Sequence, residues 1–407
     1  MRVLIINTDY EPFLRSLYAT NENLAASRYE EQLRCRNDSL FGVADFYSRN
    51  FIVLGHEASE VHANNAALQA AWLISHRLGP VRRPRSSSKD LFRLLERIAA
   101  RMAPWHTHGS ALRTPTEPFD IDLEETLQAQ VRTLRPDVIL NQAVGDVRSD
   151  VLGKMRPWTR LIVGQIASPL PPHESYAAYD LMISSLPNFV TYFKDRGITA
   201  KLNRLGFEPA VLDRLGCISR DVPLSFVGSV TTAHKGRFDL LEMLAAKTEI
   251  AIWGRVAAPK KSPILQRYWG EAWGREMYRV LARSKITVNQ HIDIAGNYAN
   301  NMRLFEATGM GAMLITDWKE NIADLFEPGK EVVCYRTAEE CSALVSYYLN
   351  HEEERAAIAA AGQRRTLKDH TFFNRVADLA DMFAAALADQ AGPAPNGPGS
   401  HAALAGR

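Results

Sequence analysis

Cysteine, net charge and long apolar segments are all scarce in this sequence of 407 residues. The four cysteines lie far apart, with no Cys-x-x-Cys pair and no zinc-ligand spacing to histidine, so we expect reduced thiols and a cytoplasmic protein. The 48 basic and 46 acidic side chains give a formal net charge of +2, which argues against nucleic acid as a partner. No run approaches the roughly 20 apolar residues of a spanning helix, so no integral membrane segment is expected.

A glycine-rich turn is missing after the first predicted strand. That strand is the apolar run at residues 3–7, and the pentapeptide Thr-Asp-Tyr-Glu-Pro follows it. A Gly-x-Gly-x-x-Gly turn is what lets the backbone approach a dinucleotide pyrophosphate. Its absence argues against a nicotinamide or flavin site at this position, and we predict no cofactor.

Apolar runs and helical patterns alternate along both halves of the chain, which is typical of α/β folds with parallel sheets. Strands are predicted at residues 3–7, 58–62, 137–141, 161–165 and 181–184, and again at 224–227, 250–253, 286–289, 312–315 and 331–335. The helices predicted before the third strand include 22–34 and 39–54.

The length of the chain suits two domains. We predict a first domain at 1–210, a second at 211–372, a last helix at 373–390 and a disordered tail at 391–407, which is rich in proline and glycine. In the first domain, polar residues follow the predicted strands at 141–142, 165–168 and 184–185. Because ligands of open parallel sheets bind at the carboxyl ends of strands, these tips either line a cleft or form simple turns.

The segment at residues 300–317 carries the strongest functional pattern. Asn300 or Asn301 is a suitable N-cap for a helix that ends at a pair of glycines and leads into a short strand. Arg303 and Glu306 lie three residues apart, and therefore on one side of the first helical turns. Such a pair at a helix start can serve an anionic, hydroxyl-rich ligand, and a surface ion pair is the alternative.

A second helix start of this kind follows the strand at 224–227. Gly228 and Ser229 form a small polar turn, and His234 and Arg237 bring positive charge to the helix after it. Backbone N–H groups, a positive helix end and nearby cations favour a diphosphate ligand. A glycine turn before a basic helix is the alternative.

Two further strand ends in the second half carry candidate ligand contacts. Gly254 follows the strand at 250–253, where the base of a ligand could rest against the backbone. His291 and Asp293 follow the strand at 286–289. Because two ligands do not make a metal site, these side chains favour hydrogen bonding to a ligand, and no metal site is predicted.

Four motifs in the second half carry a family resemblance. They are Asn-x-Arg-x-Phe-Glu-Ala-x-Gly-x-Gly at 301–311, Thr-Asp at 316–317, Leu-Phe-x-x-Gly-x-Glu at 325–331 and Arg-x-x-x-x-His-Thr-Phe at 365–372. Over residues 225–376 the chain resembles the CgeB-like (spore maturation protein type) glycosyltransferases of the GT-B class. This resemblance implies two facing Rossmann-like domains with a C-terminal helix that crosses back to the first. It also implies that the second domain holds a nucleotide-sugar donor and the first an acceptor.

The resemblance further implies roles for individual residues of the second domain. Glu306 would bind the donor ribose, and Arg237 and Arg303 would contact the diphosphate. Gly228 and Ser229 would supply backbone N–H groups to the same diphosphate. Fixed arginines and helix starts can stabilise a leaving diphosphate without a metal.

The stereochemical outcome is left open by one departure from the related enzymes. Tyr298 stands where those that retain configuration have a further glutamate. If the reaction inverts, a base from the first domain is required. Asp9, just past the first strand, is the candidate, and His56 is a weaker one.

The sequence therefore predicts a metal-independent glycosyltransferase that uses a nucleoside-diphosphate sugar. A non-catalytic nucleotide-sugar-binding protein and a sugar-nucleotide epimerase are the alternatives on the same scaffold. The acceptor and the oligomeric state are not predicted. An arginine-rich run at 81–86 is expected to be a solvated loop, with a phosphorylated acceptor or a lipid headgroup as the alternative contact.

Overall fold

The structure is a computed structural model that describes residues 1–78, 121–230, 235–292 and 295–391. Several predictions fall outside these residues. They concern the run at 81–86, His234, Asp293 and the tail from residue 392 onward, and they stay predictions. None of the helices in the described ranges is both long and apolar enough to cross a membrane.

The first sheet has six parallel strands in the order β2-β1-β3-β4-β5-β6. The strands are β1 Arg2–Asn7, β2 Glu57–His62, β3 Val138–Asn141, β4 Leu161–Gln165, β5 Leu181–Ser184 and β6 Ala200–Leu202. The helices are α1 Glu11–Thr20, α2 Tyr29–Asp38, α3 Phe46–Val53, α4 Ala66–Ser75, α5 Leu123–Leu134, α6 Ser149–Gly153, α7 Pro187–Lys194 and α8 Ala210–Leu215. Consecutive side chains of β1 are fully buried, as expected of a strand covered by helices on both faces.

The second sheet has five parallel strands in the order β11-β10-β9-β7-β8. The strands are β7 Val222–Val227, β8 Ala251–Trp253, β9 Ser284–Asn289, β10 Met313–Asp317 and β11 Val333–Tyr335. The helices are α9 Lys235–Lys247, α10 Arg275–Arg283, α11 Met302–Gly309, α12 Ala338–Asn350, α13 Glu352–Asp369 and α14 Phe372–Ala391. Short 3-10 helices lie at Leu24–Ala26, Arg156–Trp158, Pro263–Arg267 and Ile322–Asp324.

The helices before β2 differ most from the predictions. The predicted helix at 39–54 is reduced to α3, because Leu40, Gly42 and Ala44 have φ values of 58°, 61° and 41°. A right-handed helix cannot contain such residues, so α3 starts only after them. The predicted helix at 22–34 is shifted to α2, and α1 was not predicted.

Both sheets share one topological feature that locates their ligand-binding edges. In each sheet the first strand lies between the second and the third, so the order of strands reverses between β1 and β3 and between β7 and β9. In open parallel sheets, ligands bind outside the carboxyl ends of the strands at such a switch point. Each domain therefore has one expected binding edge.

The last helix, α14, returns to the first domain. The ring of Phe372 lies 5.2 Å from the rings of both Phe46 and Tyr47, and Phe383 stacks on Phe51 at 5.9 Å. All three partners belong to α3. The crossing-back helix that the GT-B resemblance implies is therefore observed.

The chain passes from the first sheet to the second between β6 and β7, the interval in which the sequence places the domain boundary. Phe207 lies in this connection and is fully buried. Its ring packs on α11 at Gly309, where a Cβ atom would lie 2.4 Å from Cγ of Phe207. The absence of a side chain at Gly309 thus lets the connecting segment pack directly on the helix that begins the site described next.

Candidate active site

Two arginines connect the strand ends at the switch point of the second sheet. Arg237, in the first turn of α9, donates from Nη1 to the carbonyl of Ser229 at 3.0 Å and from Nη2 to that of Gln290 at 2.6 Å. Arg303, in the first turn of α11, donates from Nε to the carbonyl of Val227 at 3.1 Å. Positive charge is therefore fixed at the carboxyl ends of β7 and β9, where a ligand of this fold is expected.

Arg303 and Glu306 form a buried ion pair rather than a surface one. Nη1 of Arg303 lies 2.7 Å from Oε2 of Glu306, and the two side chains are only 15% and 7% exposed. Oε1 of Glu306 faces the hydroxyl of Tyr278 at 3.5 Å. Burial raises the pKa of Glu306, while Arg303 and Tyr278 oppose this rise. Each charge of the pair offsets the cost of burying the other, because a buried charge without a partner is strongly destabilising.

Asn301 caps α11 and ties it to the strand ends. Its Oδ1 accepts from the backbone N–H of Leu304 at 3.2 Å, which confirms the N-cap prediction. Its Nδ2 donates to Oδ1 of Asn289 at 2.8 Å, and Nδ2 of Asn289 donates to Oγ1 of Thr316 at 2.9 Å. Asn301 therefore fixes the start of α11 to the ends of β9 and β10.

His291 and Asp317 form a second polar pair at this edge. Oδ1 of Asp317 accepts from the backbone N–H of His291 at 2.9 Å and contacts its Nδ1 at 2.6 Å. Burial acts to raise the pKa of Asp317, but the hydrogen bonds from His291 and the charge of Lys319 lower it overall. Nε2 of His291 is buried and has no hydrogen-bond partner among the residues that the structure describes.

A polar cavity of about 330 Å³ opens beside these residues. It is lined by Gly236, Leu240, Gln290, Asp317, Trp318, Lys319, Tyr335, Arg336, Thr337 and Ala338. The first turns of α9 and α12 both contribute to its wall, as do the cations of Lys319 and Arg336. Because helix starts carry partial positive charge, the cavity suits an anionic group.

The start of α12 in this wall resembles a capping box, but the glutamate bonds to the residue before the N-cap. Oγ1 of Thr337 accepts from the backbone N–H of Glu340 at 3.2 Å, and a carboxylate oxygen of Glu340 accepts from the backbone N–H of Arg336 at 2.6 Å. The guanidinium of Arg336 lies over the ring of Trp318 at 4.6 Å. These contacts hold a positive helix start and a cation together at one side of the cavity.

The sequence analysis did not select Lys319, Arg336 or Thr337. The Thr-x-x-Glu pattern at residues 337–340 was a signal for the start of α12. Applying the strand-end rule to β10 and β11, as well as to β7 and β9, would have pointed to Lys319 and Arg336.

The two glycines that follow β7 and β8 pack against each other. Contrary to the prediction, the N–H of Gly228 is not available to a phosphate, because it donates to the carbonyl of Trp253 at 2.9 Å. Gly254 has a φ of +126°, and a Cβ atom there would lie 2.2 Å from the carbonyl oxygen of Gly228. Gly254 is therefore required for this close approach. Beside it, the 70% exposed Trp269 stacks on Trp253 at 6.1 Å and offers a flat apolar surface.

Asp9 is not placed to act as a general base, so that prediction is wrong. Its buried carboxylate lies 2.5 Å from Nη2 of Arg36 and 3.3 Å from Nδ1 of His62. Burial acts to raise the pKa of Asp9, but His62 and Arg36 outweigh it and hold the pKa far below its usual value. Such a carboxylate accepts a proton poorly. His56 precedes β2 and so lies at the opposite edge of the sheet.

The structure brings most of the predicted donor-site residues to one edge. Those around the β7/β9 switch point are Ser229, Arg237, His291, Asn301, Arg303 and Glu306, with Gly228 and Gly254 beside them. Asp9 lies in the other domain, and His234 lies outside the described residues. Among the described residues, no group of three or more His, Cys, Asp and Glu side chains is placed to hold a metal ion.

Comparison with known proteins agrees with this architecture. Residues 237–381 match the model of a family described as glycosyl transferase-like. No curated protein matches the chain. The solved structures that it resembles include HepE from Anabaena in complex with UDP and glucose, with 13% sequence identity, a TM-score of 0.54 and coverage of 95% of this chain and 100% of that one.

Two further structures have the same fold. A glycosyltransferase from Rickettsia africae has 11% identity and a TM-score of 0.54, with coverage of 95% of this chain and 98% of that one. Sucrose-phosphate synthase from Thermosynechococcus elongatus has 11% identity and a TM-score of 0.51, with coverage of 96% and 100%. These similarities show the GT-B fold. The family match adds that residues 237–381, a part of the chain, are glycosyl transferase-like.

Proposed function

We propose that the protein transfers a sugar from a nucleoside-diphosphate donor, bound by the second domain, to an acceptor bound by the first. The observation that supports this most is the convergence of charge at the β7/β9 switch point. Arg237 and Arg303 hold the strand ends there, beside a cavity that two helix starts and two further cations line. Fixed positive groups of this kind stabilise the charge that develops on a leaving diphosphate.

The edge of the second sheet offers separate contacts for each part of the donor. In this proposal the base rests on the exposed face of Trp269, beside the backbone at Gly254. The diphosphate lies at the start of α9, near Arg237. The ribose lies near Glu306, whose Oε1 makes only a long contact to Tyr278 at 3.5 Å and can accept from a hydroxyl.

The proposal includes three finer points. The reaction needs no metal, because arginines and helix starts supply the positive charge. The subtype is CgeB-like, which is supported by the motifs between residues 301 and 372. The protein acts in the cytoplasm, which is supported by its four free cysteines.

Binding of nucleoside diphosphates tests the proposal directly. We would measure thermal shifts with UDP first, because HepE is described with UDP and with UDP-glucose, and then with GDP, ADP and CDP. One diphosphate should stabilise the protein by about 2.7 kcal/mol at a hundred times its Kd, and the matching nucleoside should not. If none of the diphosphates raises the melting temperature, the proposal is contradicted.

Turnover of the matching sugar nucleotide tests the catalytic part. We expect slow release of the nucleoside diphosphate by water, and EDTA should leave its rate unchanged. A non-catalytic binding protein would bind the donor without release, and an epimerase would convert the donor sugar without an acceptor.

One observation bears on the non-catalytic alternative. Tyr298, at the position of the missing glutamate, packs with Ala295 against an apolar cluster of the first domain that includes Ile166 and Tyr176. Its aromatic ring therefore contributes to the contact between the domains. Release of the nucleoside diphosphate from the donor would show that the protein is an enzyme and not a non-catalytic binding protein.

A further inference from the structure

An aromatic surface lies at the mouth of the cleft between the domains. Tyr10 follows β1 at the carboxyl edge of the first sheet, and its side chain is 60% exposed. Its ring contacts Phe41 edge to face at 5.6 Å and Trp273, from the second domain, at 6.4 Å. Phe41 and Trp273 contact each other at 5.6 Å. Because Trp273 lies two residues before α10, at the carboxyl edge of the second sheet, this surface faces the cleft from both sides.

The exposed apolar part of this surface is only about one ring wide. Phe41 and Phe13, which stack on each other at 3.9 Å, are 8% and 5% exposed, so their faces are used inside the protein. Among the residues of this surface that the structure describes, only Tyr10 and the half-buried Trp273 offer ring surface to a ligand. A lipid chain or an extended aromatic aglycone needs a larger apolar site than this.

A chain of amides lies at the β1/β3 switch point of the same sheet, where the end of β1, three residues before Tyr10, is paired with the end of β3. Nε2 of Gln142 donates to Oε1 of Gln165 at 2.8 Å, and Nε2 of Gln165 donates to the hydroxyl of Tyr47 at 3.0 Å. Oε1 of Gln142 is buried and has no hydrogen-bond partner among the described residues. If both amides are flipped, the unpaired group becomes a donor instead of an acceptor. A hydroxyl group satisfies either arrangement, because it both donates and accepts.

The charge at this edge is balanced, in contrast to the second domain. Asp146 accepts from Oγ1 of Thr8 at 2.7 Å, and Glu11 lies 3.7 Å from Arg15 beside Tyr10. Hydroxyl groups are good donors to the carboxylate of Asp146, which would repel a phosphate, whereas the charge of Glu11 is neutralised by Arg15. The edge therefore fits a neutral ligand that is rich in hydroxyl groups.

We propose that this edge of the first domain binds a neutral carbohydrate as the acceptor, with one sugar ring stacked on Tyr10 and a hydroxyl group bonded to Gln142. A pyranose ring has an apolar C–H face for the aromatic ring and hydroxyl groups at its rim for the amide. The assignment as acceptor rests on the proposed transferase function. Carbohydrate binding at Tyr10 can be measured whether or not the protein is a transferase.

Saturation-transfer NMR with the whole chain of 407 residues tests the site. The probes are neutral mono-, di- and trisaccharides of glucose, galactose, mannose and N-acetylglucosamine, with glucose 1-phosphate and p-nitrophenol for comparison. At least one neutral sugar should bind, and Tyr10→Ala should weaken its Kd about tenfold, while Tyr10→Phe keeps the ring and the affinity. Gln142→Ala should also weaken binding. Tyr347→Ala, which removes a 44% exposed ring on α12, is the matched control and should have no effect.

The outcomes separate the site from the function. The proposal is overturned if no neutral sugar binds, if Tyr10→Ala leaves the affinity unchanged, or if p-nitrophenol or glucose 1-phosphate alone depends on Tyr10. Nucleotide affinity should be the same in Tyr10→Ala and in the unmodified protein. If a sugar binds at Tyr10 but no nucleoside diphosphate binds, the site stands and the transferase function fails.

Discussion

The two sheets have the same strand order at their switch points, yet the side chains at their binding edges differ in charge. At the second sheet, Arg237 and Arg303 bond to strand-end carbonyls, and Lys319 and Arg336 line the adjacent cavity. At the first sheet, the strand ends carry amides, such as Gln142. The same strand order thus places cations at one edge and amides at the other.

Each domain also contains a buried arginine–carboxylate pair, and the two pairs differ in exposure and in position. Asp9 and Arg36 are 0% and 3% exposed, and His62 closes over them. Arg303 and Glu306 are 15% and 7% exposed and lie at the start of a helix beside the switch point. The first pair belongs to the interior of its domain, whereas the second is within reach of a ligand. Proximity to a strand end therefore does not by itself make a carboxylate functional.

The strongest test of this comparison breaks the pair in the second domain. Arg303→Met should lower the free energy of unfolding by about 3–5 kcal/mol, because it leaves the Glu306 carboxylate buried without its cation. The double variant Arg303→Met/Glu306→Leu should regain most of the loss, since apolar residues replace both charges. Urea denaturation measures both effects. Neither variant should bind the nucleoside diphosphate, which separates the role of the pair in binding from its role in stability.

An exposed pair with the same spacing provides the control. Arg279 and Glu276 on α10 lie 3.4 Å apart and are about half exposed. Arg279→Met should cost less than about 1 kcal/mol, because surface ion pairs contribute little. Equal losses of unfolding free energy in the two arginine variants would show that burial does not determine the contribution of the Arg303 pair to stability.

A smaller effect is expected from the interior of the first domain, where Glu60 is 4% exposed. Burial raises the pKa of Glu60 to about 8, although Arg36 opposes this rise. Between pH 4.5 and pH 8 the folded protein therefore holds a proton that the unfolded chain has released. Stability should fall as the pH rises, by up to about 1.4 kcal/mol per pH unit from this group. Urea denaturation of the unmodified protein should therefore show a loss of about 2–3 kcal/mol in the free energy of unfolding between pH 5 and pH 7. Glu60→Gln should remove this loss.

The other end of the same strand supplies the control for the pH series. Glu57 also lies on β2, but its side chain is 77% exposed and pairs with Arg2. Glu57→Gln should keep the slope of the unmodified protein. If Glu60→Gln also keeps the slope, the proton is not bound at Glu60. The carboxylate would then be more accessible to water than its burial in the structure implies.

The sequence predicted which helix start and strands form the carboxyl edge of the second sheet, because the signals for these elements are local. The cap at Asn301 and the spacing of Arg303 and Glu306 depend on fewer than seven consecutive residues. Apolar runs gave β4 and β5 with the bounds that the structure has. Helix starts and strand ends of this kind can be recognised without knowledge of what lies next to them.

The errors concern contacts between residues far apart in the chain. Asp9 was expected at the cleft. In the structure it is enclosed by Arg36 and His62, which lie 27 and 53 residues further along the chain. Lys319 and Arg336 line the same cavity because Asp317 and Tyr335 are paired in register at the ends of β10 and β11. Neither arrangement has a local signal, because sheet register and enclosure are decided by tertiary packing.

The smallest effect is expected at Arg336, at the edge of the second sheet. Arg336 is exposed, so Arg336→Ala should leave stability unchanged but weaken nucleoside-diphosphate binding about tenfold, or about 1.4 kcal/mol, through the loss of one cation from the cavity. The loss should shrink at high salt, because exposed charges are screened. Arg196→Ala is the control: this exposed arginine of the first domain also stacks on an aromatic ring, that of Tyr192, at 3.6 Å. Calorimetric titration should show a change for Arg336 alone. Equal weakening in both variants would mean that net charge, and not the edge of the second sheet, attracts the diphosphate.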